Sequence, residues 1–127
     1  MLARYHIVRG KRDPSDPLPA GHRMDTRMHT KHVLRPDADE VAKFLAQPDS
    51  AAAFKHFRTA YLGALEQRFH AERARFDEIA ELAKEEDVYL GCNCPTAKQP
   101  NVQHCHTALA LGFMKKKYPS LRVVMPA

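Results

Sequence analysis

Asp87-Val88-Tyr89-Leu90-Gly91-Cys92-Asn93-Cys94-Pro95, followed eight residues later by His104-Cys105-His106, is the stretch on which the reading of this chain turns. The apolar run from Val88 to Cys92 lies between an acidic segment and a proline, the pattern of a short buried strand. Pro95 to Pro100 reads as a polar loop. Asn101 can cap a helix whose apolar positions Val102, Cys105, Leu109 and Phe113 recur at helical spacing, with Pro119 marking its end. Leu121 to Met125 then reads as a further strand. Strand, helix, strand at this spacing favours a right-handed crossover between parallel strands. The expected fold is therefore α/β: a small, mostly parallel sheet of about three or four strands flanked by helices, in a single domain over residues 1–127.

Working outward, Tyr5 to Arg9 alternate and are partly β-branched, which predicts a first strand ended by Gly10. From Gly10 to Pro36 no period holds, and Pro14, Pro17, Pro19, Gly21 and Pro36 punctuate a long basic loop or arm, with a short strand expected around His32-Val33-Leu34. Asp37 to Gln47 predicts a short helix stopped by Pro48. Asp49 or Ser50 can cap a longer one with the stripe Phe54, Phe57, Tyr61, Leu65 and Phe69, which reads as a core-facing surface. The pattern resumes at Phe76, Ile79 and Leu82 after Glu72-Arg73-Ala74-Arg75, as one helix or as two with a bend.

The 127 residues carry a formal net charge of +5, and its distribution is more informative than its size. Residues 1–36 hold eight Lys/Arg against three Asp, while the remaining 91 residues are balanced, twelve against twelve. An anionic partner would be met at the arm, where His6, His22, His29 and His32 also lie. Lys115-Lys116-Lys117 is more simply a favourable charge at a helix C-terminus. No apolar run approaches the roughly 18 residues of a spanning helix, and the polar start lacks the apolar stretch of a secretory signal. No membrane partner and a cytoplasmic location are the expectation. Three cysteines, two of them one residue apart, make a poor disulfide framework and a better set of reduced thiols.

Residues two apart in an extended chain project to one side, so Cys92 and Cys94 can converge at the strand end, where open α/β sheets usually bind ligands. Cys105, near a helix N-terminus, meets free amides and a dipole that favour thiolate. Its two histidine neighbours diverge by about 200° around the helix, so one serves the site and the other faces outward. Cys92, Cys94, Cys105 and one of His104 or His106 supply the four N/S ligands of a zinc site, although Cys-x-Cys is tighter than the spacing of common zinc fingers. A metal-free site in which a thiolate or histidine handles a substrate is the competing reading.

These residues resemble two uncharacterised bacterial families, catalogued as domain of unknown function 4326 and domain of unknown function 488. In the former, a strand ending in Cys-x-Cys is followed by a Cys-His pair opening a helix. The resemblance covers roughly residues 54 to 117. It implies a small α/β protein and marks Cys92, Cys94, Cys105 and His106, but it does not extend to the arm.

The functional expectation is a small enzyme acting on a nucleotide, nucleic-acid base or other phosphorylated small molecule. Cys105 and His106 would carry the chemistry or, with Cys92 and Cys94, hold zinc. Arg9, Arg12, Arg23, Arg27 and Lys31 would hold the phosphate by bidentate or point-charge contacts. The alternative is a zinc-stabilised nucleic-acid-binding module with structural cysteines. Aromatic residues are scarce in the arm, so single-strand stacking is not supported. No Gly-rich phosphate loop and no serine nucleophile elbow is present.

Overall fold

The strand β3, Val88–Cys92, lies at the centre of the molecule, and its neighbours are set by its sequence. Val88 and Leu90 are fully buried and Gly91 and Cys92 nearly so, as expected of a strand covered on both faces. In the computed structural model, which describes all residues 1–127, β3 pairs in parallel with β1 (Leu2–His6) on one side and β2 (His22–Asp25) on the other. The register runs from Leu2↔Val88 to His6↔Cys92 and from His22↔Val88 to Asp25↔Gly91, so all three strands point their C-terminal ends the same way. Parallel neighbours need crossovers, and α1 (Ala38–Leu45), α2 (Ala51–Ala71) and α3 (Arg73–Glu85) supply the one from β2 to β3. A 3₁₀ turn (Val102–His104) and α4 (His106–Lys117) follow β3. This is a small α/β domain with an open three-stranded parallel sheet.

The helices form where capping and periodicity coincide. Asp37 accepts from the amides of Asp39 and Glu40 at the start of α1, and Ser50 accepts from Ala53 at the start of α2. Ala53, Phe57, Tyr61, Leu65 and Phe69 form a buried stripe at strict four-residue spacing along α2. Phe57 stacks between Phe44 and Tyr61, with ring centroids 5.0 and 6.0 Å away. The long helical pattern resolves into two helices that part at Glu72, whose backbone (φ −136°, ψ 39°) leaves the helical region. No helix is long and apolar enough to cross a membrane.

Four expectations for local structure are corrected. The first strand lies earlier, at Leu2–His6 rather than Tyr5–Arg9, because Leu2 and Ala3 are the residues buried against β3. The arm is not without structure: it contains β2, an edge strand of exposed or half-buried side chains held by backbone pairing. His32-Val33-Leu34 forms a turn instead of a strand. Its apolar residues are buried because the Tyr61 hydroxyl donates to the Leu34 carbonyl (2.6 Å) and Arg68 donates to those of Val33 and Arg35. Leu121–Met125 contributes one bridge, Leu2↔Val123, since Val124 and Met125 are exposed.

Two consequences are testable. Gly21 has φ +122°, and a Cβ there would lie 2.5 Å from the Asp87 carbonyl oxygen, which already accepts from the His22 amide. Gly21→Ala is expected to cost about 2 kcal/mol, read as a lower urea midpoint with unchanged slope. His32 is held neutral by burial, and then by the nearby Arg75 charge, with its pKa lowered to about 4. Its Nδ1 accepts from the Leu34 amide at 3.1 Å, a bond that protonation removes. The unfolded chain takes up this proton near pH 6.5, so the stability contribution is complete above that pH and is lost as pH falls through 4. Urea midpoints between pH 7 and 4 should fall in the wild type and fall less steeply in His32→Asn, whose side-chain oxygen can replace Nδ1.

Candidate metal centre

The C-terminal end of β3 delivers Cys92, the next residues turn out of the sheet, and the loop returns at Cys105 to start α4. The Sγ atoms of Cys92, Cys94 and Cys105 all lie within 4.8 Å of one another, and all three thiols are free. Cys92 and Cys105 are buried and Cys94 is half-buried. Cys105 is the N-cap of α4 in extended conformation, and its sulfur makes no capping hydrogen bond to the first turn. The expected Asn101 cap serves the 3₁₀ turn instead, accepting from the Gln103 amide.

The surrounding hydrogen bonds fix this geometry. Thr107 Oγ donates to Cys105 Sγ at 3.2 Å and accepts from Arg4 Nε at 2.9 Å. Arg4 also donates through Nη2 to the Cys94 carbonyl at 2.7 Å, so one β1 side chain ties the Cys-x-Cys turn to α4. On the other side Thr26 Oγ donates to the Gly91 carbonyl (3.0 Å) and is 2.9 Å from His106 Nε2. With its proton committed to Gly91, Thr26 accepts from Nε2–H, which leaves Nδ1 of His106 facing Cys105 Sγ at 3.8 Å. His106 is not among the three groups that lie within 4.8 Å of one another.

Charge is shared unequally. Hydrogen bonds from Cys92 and then Cys94, helped by His106 and opposed by burial, hold Cys105 far below the ordinary thiol range. Cys94 is pushed far above it by its bonds to Cys105 and Cys92 and by burial. Burial pulls the His106 pKa down, but the sulfurs of Cys105 and Cys92 outweigh it and raise the value to about 9. Without a metal Cys105 is therefore the favoured thiolate, paired with the His106 imidazolium, while Cys94 resists ionisation.

The sulfurs open onto a cavity of about 210 Å³ lined by all three cysteines. Val41, Phe44, Leu45 and Phe57 give it apolar walls, and Arg27, Gln99, His104 and His106 give it polar ones. The outward-facing histidine expected from the sequence is thus partly corrected. His104 is half-buried, stacks on Phe54 at 4.0 Å and bonds an Asp49 carboxylate oxygen through Nδ1 at 2.9 Å, while also lining the cavity. The carboxylate only accepts, so Nδ1 carries the proton of this bond and Nε2 makes no hydrogen bond within the chain.

Of the five arm cations, Arg27 alone lines the cavity, and it bonds Asp25 through Nε (2.9 Å) and Nη2 (2.7 Å). Arg12 is turned onto its own loop, donating to His6, Asp16 and the Asp16 carboxylate, and Arg23 donates to the Pro19 carbonyl. Arg9 and Lys31 are exposed. Arg4, Gln99 and Thr107 join the site without having been singled out in the sequence, and Asp49, expected there only as a possible helix cap, joins it through His104.

No protein family, curated protein or solved structure shows a match to this chain.

The charge distribution predicts how labelling depends on pH. In metal-free, reduced protein, iodoacetamide labelling of Cys105 is slowed by its burial but should depend little on pH. Its rate should stay level from pH 8 to 6, where an ordinary thiol slows about tenfold per unit. Peptide mass spectrometry reads the rate.

Proposed function

We propose that this protein is a small metal-dependent enzyme acting on a nucleic-acid base, a nucleotide or another phosphorylated small molecule, with zinc held by Cys92, Cys94 and Cys105. The observation that carries this reading is that three mutually close sulfurs line a cavity. Zinc sites that only support a fold are closed by four protein ligands, whereas catalytic sites keep three and leave one position for water or substrate. Thiolate ligands suit zinc, and a dication relieves the repulsion that keeps the metal-free cluster at one negative charge.

Each remaining residue has a role in this reading. Zinc held there would supply Lewis-acid activation of water, and His104, oriented by Asp49, would be a proton acceptor on the cavity wall. His106 would support the ligand sphere from the Cys105 side, its Nε2–H anchored on Thr26. A cavity of about 150 Å³ can hold benzene, so about 210 Å³ suits a single ring with its substituents, any larger remainder of the ligand lying outside the mouth. Phe44 and Phe57 would contact the ring, and Arg27 would meet an anionic group attached to it. The alternative, a zinc-stabilised nucleic-acid-binding module, is favoured by the way the cysteines tie β3, the loop and α4 together and by the exposed Arg9, Lys11 and Lys31.

Elemental analysis of tag-free protein purified under reducing conditions tests the reading. About one zinc per chain is expected, lost in Cys92→Ser, Cys94→Ser and Cys105→Ser alike, with the metal-free form still folded by circular dichroism. Unfolding on metal removal, together with salt-sensitive nucleic-acid binding, would move the assignment to the structural module. Protein without metal would overturn both.

A further inference from the structure

Of the three free thiols, Cys92 and Cys105 are buried and Cys94 is half-buried, so Cys94 is the one with surface to move into. All three line the same cavity, and their sulfurs lie within 4.8 Å of one another. One arginine gathers Cys94 and Cys105 from two separate elements. Arg4 donates through Nη2 to the Cys94 carbonyl at 2.7 Å and through Nε to the Thr107 hydroxyl at 2.9 Å, and that hydroxyl donates to Cys105 Sγ at 3.2 Å.

Thiols this close are candidates for a disulfide, and the backbone favours one pair. Cys92 and Cys94 have sulfurs 3.9 Å apart, but Cys92 belongs to β3, is in register with His6 and accepts from the Ile7 amide at 2.9 Å. Residues two apart in an extended chain have Cα atoms about 6.6 Å apart, whereas disulfides favour about 5.5–6 Å. Closing Cys-x-Cys would therefore pull against the sheet pairing. Cys94 lies two residues beyond the end of β3, and Cys105 immediately precedes α4. A bond between these two closes the intervening loop and leaves the strand ladder and the helix as they are.

We propose that Cys94 and Cys105 are a modification site, forming a reversible disulfide when the protein meets a peroxide, and that this bond withdraws both sulfurs from the metal position. The disulfide stands on the geometry alone; its effect on metal rests on the proposed function. One of the two sulfurs takes an oxygen from hydrogen peroxide as the O–O bond breaks, and the other peroxide oxygen leaves as water. The second sulfur attacks the sulfenic acid so formed: the S–S bond forms, the S–O bond breaks, and the oxygen leaves as a second water with the remaining thiol proton. The two thiols give two electrons to the peroxide, and a dithiol reductant returns them. Cys92 is then the one thiol left, too few for a three-sulfur site.

The test treats the reduced, tag-free full chain with hydrogen peroxide, alkylates the remaining thiols in denaturant and maps the tryptic peptides; cleavage after Lys98 separates Cys105 from Cys92 and Cys94. The intact mass, read before alkylation, is expected to fall by about 2 Da, with Cys94 joined to Cys105, Cys92 alkylated, and both changes reversed by dithiothreitol. Cys92→Ser should form the same bond, and Cys94→Ser and Cys105→Ser should not. A Cys92–Cys94 bond, oxidation that stops on a single sulfur, bonds only between chains, or unchanged thiols would overturn the assignment. Zinc uptake separates it from the metal reading. The reduced chain should bind zinc and the oxidised chain lose it; equal uptake by both would overturn the effect on metal, and a disulfide in protein that takes up no zinc in either form would remove the metal and leave the modification site.

Discussion

Three thiols within 4.8 Å of one another can give up one proton readily but not three, and the structure at the C-terminal end of the sheet is organised around that constraint. The first negative charge settles on Cys105, where hydrogen bonds from Cys92 and Cys94, and then His106, outweigh burial and the Thr107 hydroxyl also donates. Cys94 then stays protonated, and His106 takes up a proton to balance the pair. A divalent cation changes this balance, because it makes each further thiolate favourable instead of repulsive. Without a metal the cluster is a thiolate-imidazolium pair, and with one it would be a three-thiolate site.

The fold supplies this geometry at the sheet's C-terminal end. β3 is flanked by parallel partners, so its end lies beside those of β1 and β2, and residues from all three strands or their exits surround the sulfurs. Arg4 from β1 fixes the Cys94 carbonyl and Thr107, and Thr26, just beyond β2, fixes Gly91 and His106. A parallel sheet is well suited to this because its strand ends open together on one side, where the crossing loops leave a crevice. α1 and α2 close the crevice with Phe44 and Phe57, which makes it a walled cavity.

Much of this was legible in the sequence, and what was not has physical reasons. The apolar β3 and the four-residue stripe of α2 were visible because both are read from burial alone. The convergence of Cys92, Cys94 and Cys105 followed from strand and helix geometry. β2 was hidden because His22-Arg23-Met24-Asp25 is an edge strand that owes its place to backbone pairing and shows no apolar alternation. The apolar Val33 and Leu34 suggested a strand, but they are buried in a turn beneath Tyr61 and Arg68. The charge of the basic arm can be counted from sequence, whereas the loop carbonyls that accept from Arg12 and Arg23 cannot. Asp49 was read as one of two possible caps; it holds His104 instead, a contact across 55 residues that no local pattern encodes.

The central claim is that the three cysteines bind one metal and leave a position open to the cavity. X-ray absorption at the zinc edge of the metal-loaded protein tests it most directly. Three sulfurs at about 2.3 Å and one light atom at about 2.0–2.1 Å are expected, without the outer-shell scattering of an imidazole ring. A shell with fewer than three sulfurs, or one completed by a histidine, would contradict it.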